Sequence, residues 1–162
     1  MASQAAAEDA GEARSAVSVD VETRTVIERP VDVVAPFASD PTNAPAWYEN
    51  IARVDWKTAP PARVGSIVAF EARFLGRTLR YDYEIVEFEA GERLVMRTSQ
   101  GPFPMQTTYT WRPSGPAQTE MTLRNNGEPA GFSRLVTPLM ASAMRRANRK
   151  DLARLKALLE ST

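Results

Sequence analysis

The sequence predicts an α+β domain in which one strongly bent antiparallel sheet grips a long C-terminal helix. Three observations carry this. One alternating strand opens the chain and two short helical stretches follow it. About six further alternating strands, joined by short turns, come next, and such a series pairs antiparallel with one buried face. The chain then closes on a single amphipathic helix. A flat sheet of that many strands would leave an apolar face too large for one helix to cover, so the sheet must bend.

The first strand alternates Val17, Val19, Val21, Thr23, Thr25 and Ile27 against Ser18, Asp20, Glu22 and Arg24. Pro30 suits a first helical position, and Val31, Val34, Phe37 and Ala38 recur at helical spacing. Pro36 inside that stretch should bend or shorten the helix. Asp40-Pro41-Thr42-Asn43 is a turn able to cap a second short helix carrying Trp47, Tyr48 and Ile51.

A short strand runs from Val54 to Thr58 and ends at Pro60-Pro61. From Ser66 to Phe74 the apolar parity is Val68, Phe70, Ala72 and Phe74, with Glu71 and Arg73 opposed. Leu75-Gly76-Arg77 turns the chain tightly. Leu79, Tyr81, Tyr83 and Ile85 then alternate with Arg80, Asp82 and Glu84 up to Phe88. After Ala90-Gly91-Glu92, the segment from Arg93 to Ser99 presents Leu94, Met96 and Thr98. Past Gly101-Pro102-Phe103-Pro104, Met105, Thr107, Tyr109 and Trp111 share one face. The last strand, Thr119 to Asn125, carries Met121 and Leu123.

After Asn126-Gly127 and Pro129-Ala130-Gly131 a long helix runs through Glu160, with Pro138 kinking it or starting its main segment. Met140, Met144, Ala147, Leu152, Leu155, Leu158 and Leu159 fall within an arc of about 140° at the helical angle. Arg145, Arg146, Arg149, Lys150, Arg154 and Lys156 occupy the opposite half. Asp151 lies inside the apolar arc, where a carboxylate needs a partner.

Composition narrows the chemistry. With 43 % apolar residues in 162, the chain can build one real core. Twenty Lys and Arg balance twenty Asp and Glu, which argues against nucleic-acid binding by charge. Cys and His are both absent. Disulfides, thiol nucleophiles, His-based acid–base groups and Cys- or His-ligated metals are thereby excluded. No metal signature or phosphate-cradling glycine loop stands in the chain, and no cofactor is implied. No apolar run approaches the ~20 residues needed to span a bilayer. Residues 1–16 read as a disordered, weakly acidic tail, and 17–162 as one domain. The tail lacks the features of a secretory signal, so the cytoplasm is the expected compartment.

The run Ile27-Glu28-Arg29-Pro30-Val31-Asp32-Val33-Val34-Ala35-Pro36-Phe37, with Asp40-Pro41 and Trp47 after it, resembles the opening of the SRPBCC superfamily. That superfamily holds START-type lipid-transfer domains, birch-pollen-allergen-like proteins and the polyketide cyclase/dehydrase group. Gly65-Ser66-Ile67-Val68, Gly91-Glu92-Arg93-Leu94 and the ending from Asp151 to Glu160 are similar to it as well. Pro36 departs from the helix-forming residue usual there. The resemblance implies a helix-grip fold, a curved seven-stranded antiparallel sheet wrapped on the C-terminal helix with an apolar cavity between them. It also implies binding of lipids, sterols, hormones or polyketides, with cyclisation or dehydration in a minority.

The gripping face is rich in aromatics and methionines: Phe70, Phe74, Tyr81, Tyr83, Met96, Tyr109, Trp111, Met121, Met140 and Met144, with Thr98 beside them. Apolar ligand pockets are lined this way, and so are ordinary cores. Tyr81 and Tyr83 offer the best cavity hydroxyls, either to orient a ligand carbonyl or as core tyrosines with hydroxyls at the rim. Tyr109 and Thr98 are lesser candidates. Glu71, Arg73, Arg80, Asp82 and Glu84 read as a solvated ladder on the outer face. Asp151 is either a polar contact at the cavity floor or, more often for such a residue, bonded to nearby backbone or a basic neighbour. The basic helix back is ordinarily a solvated face; transient contact with anionic membrane headgroups is the sharper alternative. Phe103 and the loop from Asn126 to Gly131 are candidate gates, and Trp47 is assigned to packing at the sheet rim.

Three functions follow from this reading. The first is binding or transport of a hydrophobic small molecule (a lipid, isoprenoid or aromatic polyketide) by a monomer or weak homodimer. The second is a polyketide aromatase/cyclase-type enzyme in which Tyr or Arg stabilises an enolate. The third is an interaction domain with a filled core.

Overall fold

The computed structural model describes residues 18–128 and 137–162. The N-terminal tail, Val17 and loop residues 129–131 lie outside the described residues.

Seven strands build one curved antiparallel sheet: β1 (Val19–Ile27), β2 (Ile51–Trp56), β3 (Ile67–Phe74), β4 (Arg77–Glu89), β5 (Arg93–Gln100), β6 (Met105–Gly115) and β7 (Gln118–Gly127). Their spatial order is β1-β7-β6-β5-β4-β3-β2. The alternation read in each strand reappears as burial: Val19, Val21, Thr23 and Ile27 point inward on β1, and Val68, Phe70 and Ala72 on β3. Register shifts interrupt the β4–β5 pairing at Asp82/Tyr83 and Ile85/Glu87, and the β2–β3 pairing at Ile51/Arg53. Such irregularities raise local twist and bend a strand, which is how a sheet this wide curls.

β1 and β2 are the two edges. Between them in sequence come α1 (Val31–Ser39), a 3-10 turn (Pro41–Asn43) and α2 (Ala44–Trp47), which carry the chain from one edge to the other. Pro30 is not the first helical residue. Its backbone is extended and it stands just outside α1, its carbonyl accepting the N–H of Val34 at 3.1 Å. Pro36 sits on the exposed side of a helix of about two and a half turns. The carboxylate of Asp40 accepts the N–H of Thr42 at 2.9 Å and starts the 3-10 turn.

The second short helix is only one turn long. Tyr48 already has extended backbone at its end, and Ile51 belongs to β2, opposite Ala72 on β3. Apolar spacing over so few residues fits a helix and a strand start equally well, and pairing with β3 decides it. Trp47 is fully buried in the main core and not at the sheet rim.

α3 (Thr137–Glu160) closes the concave face, lying against β1 and α2. No proline interrupts its middle, since Pro138 falls in the first turn, where no intrahelical donor is needed. The helix does two jobs along its length. Leu152, Leu155 and Leu159 join Ile27, Trp111, Met121 and Leu123 in the main core. Met140, a half-helix earlier, packs in a separate cluster with Val19 and Val21, flanked by Phe74 and Met144. Arg145, Arg146, Arg149, Lys150 and Arg154 are exposed as their periodicity predicts. Lys156 is half-buried instead, reaching Glu160 at 2.6 Å and the carbonyl of Val26 at 2.7 Å.

Candidate ligand cavity

A cavity of about 150 Å³ lies between α3 and the concave face of the sheet, lined from β2 through β7 and by Val19 of β1. That is the scale at which an apolar void accepts a small aromatic molecule. Of the residues the sequence nominates, Phe70, Phe74, Tyr81, Tyr83, Met96 and Tyr109 form its sheet side, and Met140 and Met144 its helix side. The rings are arranged as one wall. Phe70 stacks on Tyr81 with centroids 5.6 Å apart, and Tyr83 meets Tyr81 edge-on at 5.0 Å. Phe103 also lines the cavity.

Three nominated residues lie off its walls. Trp111 and Met121 are register partners with 2 % and 0 % exposure, packed in the core that the C-terminal half of α3 covers. They have the right parity but the wrong position along their strands. Thr98 spends its hydroxyl on the backbone of Met105, accepting from its N–H at 3.0 Å and donating to its carbonyl at 3.2 Å.

Sequence reasoning named Tyr81, Tyr83, Tyr109 and Asp151 and missed the other polar residues of the site. The phenol of Tyr48, at the end of α2, meets that of Tyr109 on β6 at 2.5 Å. Thr107, Asn125 and Asn148 form a second polar group with Tyr83. Asn148 is 4 % exposed on α3, within the stripe that faces the sheet. Its place in the apolar arc was the available signal, the same one that singled out Asp151.

Asp151 is 3 % exposed and lines the cavity. Its Oδ1 accepts the N–H of Glu49 at 3.0 Å, so the backbone partner expected for a buried carboxylate is present. Burial pushes its pKa up to about 6, against the pull of that hydrogen bond and of Arg154 and Lys150. Burial also pushes Tyr83 up to about 12, and Tyr48 and Tyr81 well above the ordinary phenol value. These phenols stay protonated at neutral pH and serve as hydrogen-bonding groups rather than bases. The outer face behaves differently. Glu71 pairs with Arg80 at 3.1 Å in the open, a bridge worth well under ~1 kcal/mol. Among the described residues no three carboxylates converge to hold a metal ion.

A curved sheet gripping a helix defines a helix-grip domain. The family model for polyketide cyclase/dehydrase and lipid transport proteins matches residues 18–160, and the chain belongs to that family, within the SRPBCC superfamily. No curated protein matches it in sequence. Similar solved structures include TTHA0849 from Thermus thermophilus, with a TM-score of 0.76 and 19 % identity over 88 % of this chain and 97 % of that one. The Zhui aromatase/cyclase from Streptomyces sp. R1128 gives 0.73 and 13 % over 89 % and 94 %. A START superfamily protein from Mycobacterium smegmatis gives 0.71 and 14 % over 86 % and 98 %. At these identities the likeness is one of fold. No described helix is long and apolar enough to cross a membrane.

Proposed function

We propose that this protein binds a hydrophobic small molecule, of the lipid, isoprenoid or aromatic polyketide kind, in the cavity between α3 and the sheet. The observation that carries the reading is the aromatic wall of Phe70, Tyr81 and Tyr83 lining one cavity with Met140 and Met144, the two sides belonging to separate hydrophobic clusters. Affinity would come from apolar burial at ~25 cal/mol per Å². The exposed Arg145, Arg146, Arg149 and Lys150 would meet anionic headgroups if delivery takes place at a membrane surface. Native mass spectrometry and thermal shift with a lipid and polyketide panel test this. A bound ligand raises Tm with the logarithm of its excess over Kd. A panel that leaves Tm unmoved, together with a clean apo mass, overturns it.

Cyclase-type chemistry is the second reading, and Asp151 is the observation that favours it. It is a buried carboxyl with a pKa of about 6 that lines the same cavity as the Tyr48–Tyr109 pair. Turnover of a poly-β-keto substrate, lost in Asp151→Asn or Tyr81→Phe while dye uptake persists, separates catalysis from carriage.

A further inference from the structure

A line of four polar side chains borders the cavity, and its hydrogen bonds run in one direction. Thr107 gives its single hydroxyl proton to Oδ1 of Asn125 at 2.7 Å. It must then accept from the phenol of Tyr83, at 2.9 Å. Asn125 passes the polarity on, its Nδ2 donating to Oδ1 of Asn148 at 3.1 Å. Thr107 is the one hydroxyl or amide partner of the buried Tyr83 phenol among the described residues. In the reverse sense the Tyr83 proton would have no acceptor, so the phenol end sets the sense of both amides and the line ends on the Nδ2 of Asn148. That atom is buried and has no acceptor among the described residues. The other orphan amide atom beside the cavity, Oδ1 of Asn126, hangs on no such line, so nothing fixes its sense.

A buried donor without a partner is costly, and hydrogen bonds in series strengthen one another. Asn148 lines the cavity, so the missing acceptor can arrive there. We infer that Asn148 sets the ligand's polarity: the cavity selects a molecule with an apolar body and a carbonyl-type oxygen placed to accept from Nδ2 of Asn148. Tyr83, Thr107 and Asn125 are the positioning residues that hold that amide donor-outward. The inference rests on the proposed cavity binding and adds a chemical class to it, an oxygen acceptor rather than a plain hydrocarbon.

Acetophenone and ethylbenzene test it, since they share a shape and differ by a carbonyl in place of a methylene. Both are titrated by NMR into the full chain and into Asn148→Leu. The ratio of the two Kd values should shift by about tenfold toward ethylbenzene in the variant, one net hydrogen bond's worth of preference. In the unmodified protein the side-chain amide protons of Asn148 should move downfield with acetophenone beyond the ring-current shift that ethylbenzene gives, a readout that needs no variant to fold. If both compounds bind, the ratio is unchanged and the amide signals move alike, the donor is served by water and the inference is overturned while cavity binding stands. If neither compound binds the unmodified protein, cavity binding itself is overturned, and this inference with it.

Discussion

The phenol of Tyr83 on β4 reaches the hydroxyl of Thr107 on β6 at 2.9 Å, spanning the intervening strand β5. Both side chains are buried, and Thr107 is also the donor to Asn125. Thr107→Val keeps the shape and removes the hydroxyl, leaving the Tyr83 proton and Oδ1 of Asn125 each without its partner. The expected cost is about 1 to 3 kcal/mol, read by urea denaturation. Thr107→Ser keeps the bonds and should cost distinctly less. Tyr83→Phe combined with Thr107→Val should cost less than the two single changes added, because each single change orphans the other's group.

Asp151 predicts a pH dependence of defined sign. Its carboxyl titrates near 3.8 when unfolded and near 6 when folded, because burial disfavours the charge. Between those values the folded chain holds more proton than the unfolded one, so stability falls as pH rises through that window and levels off above it. Asp151→Asn keeps an oxygen for the N–H of Glu49 and removes the buried charge. It should stabilise the protein by up to about 3 kcal/mol above pH 7 and leave it unchanged near pH 4. Thermal melts at the two pH values check this, and an equal shift at both contradicts it.

Leu75 and Gly76 are the two loop residues of the β3–β4 hairpin, with Phe74 and Arg77 paired on either side. Both have positive φ, 49° and 75°, the backbone of a type I′ turn. Glycine accepts that freely, while leucine is strained by ~1 kcal/mol or more. Its side chain is 60 % exposed and gives little packing in return. Leu75→Asn should therefore raise Tm by ~2 to 4 °C, whereas Leu75→Val should lower it.

The fold was legible because its signals are periodic. Val19, Val21 and Ile27 on β1, or Val68, Phe70 and Ala72 on β3, show their inward parity without reference to anything distant. Position along a strand is not periodic. Trp111 shares parity with Tyr109 but sits two residues further on, under the half of α3 that seals the core, so its absence from the cavity wall follows from where the helix docks. Some of the polar residues were hidden for another reason. Thr107 and Asn125 read as ordinary strand residues, and only the curl of the sheet under α3 brings them into line with Asn148.

Ala147 offers a direct test of the hollow itself. It lies on α3 among the cavity-lining residues, three positions after Met144 and next to Asn148. Ala147→Leu adds three carbons toward a space of about 150 Å³. If that space is open, the new side chain fills it, stability is held or raised by recovered contacts, and uptake of an apolar fluorescent dye falls sharply. If neighbouring side chains already occupied it, the same change would overpack the core and cost ~1 to 3 kcal/mol. Tm and dye uptake measured together separate the two cases, since an open cavity gives an unchanged or higher Tm with lost uptake, and a filled one gives a lower Tm with no uptake to lose.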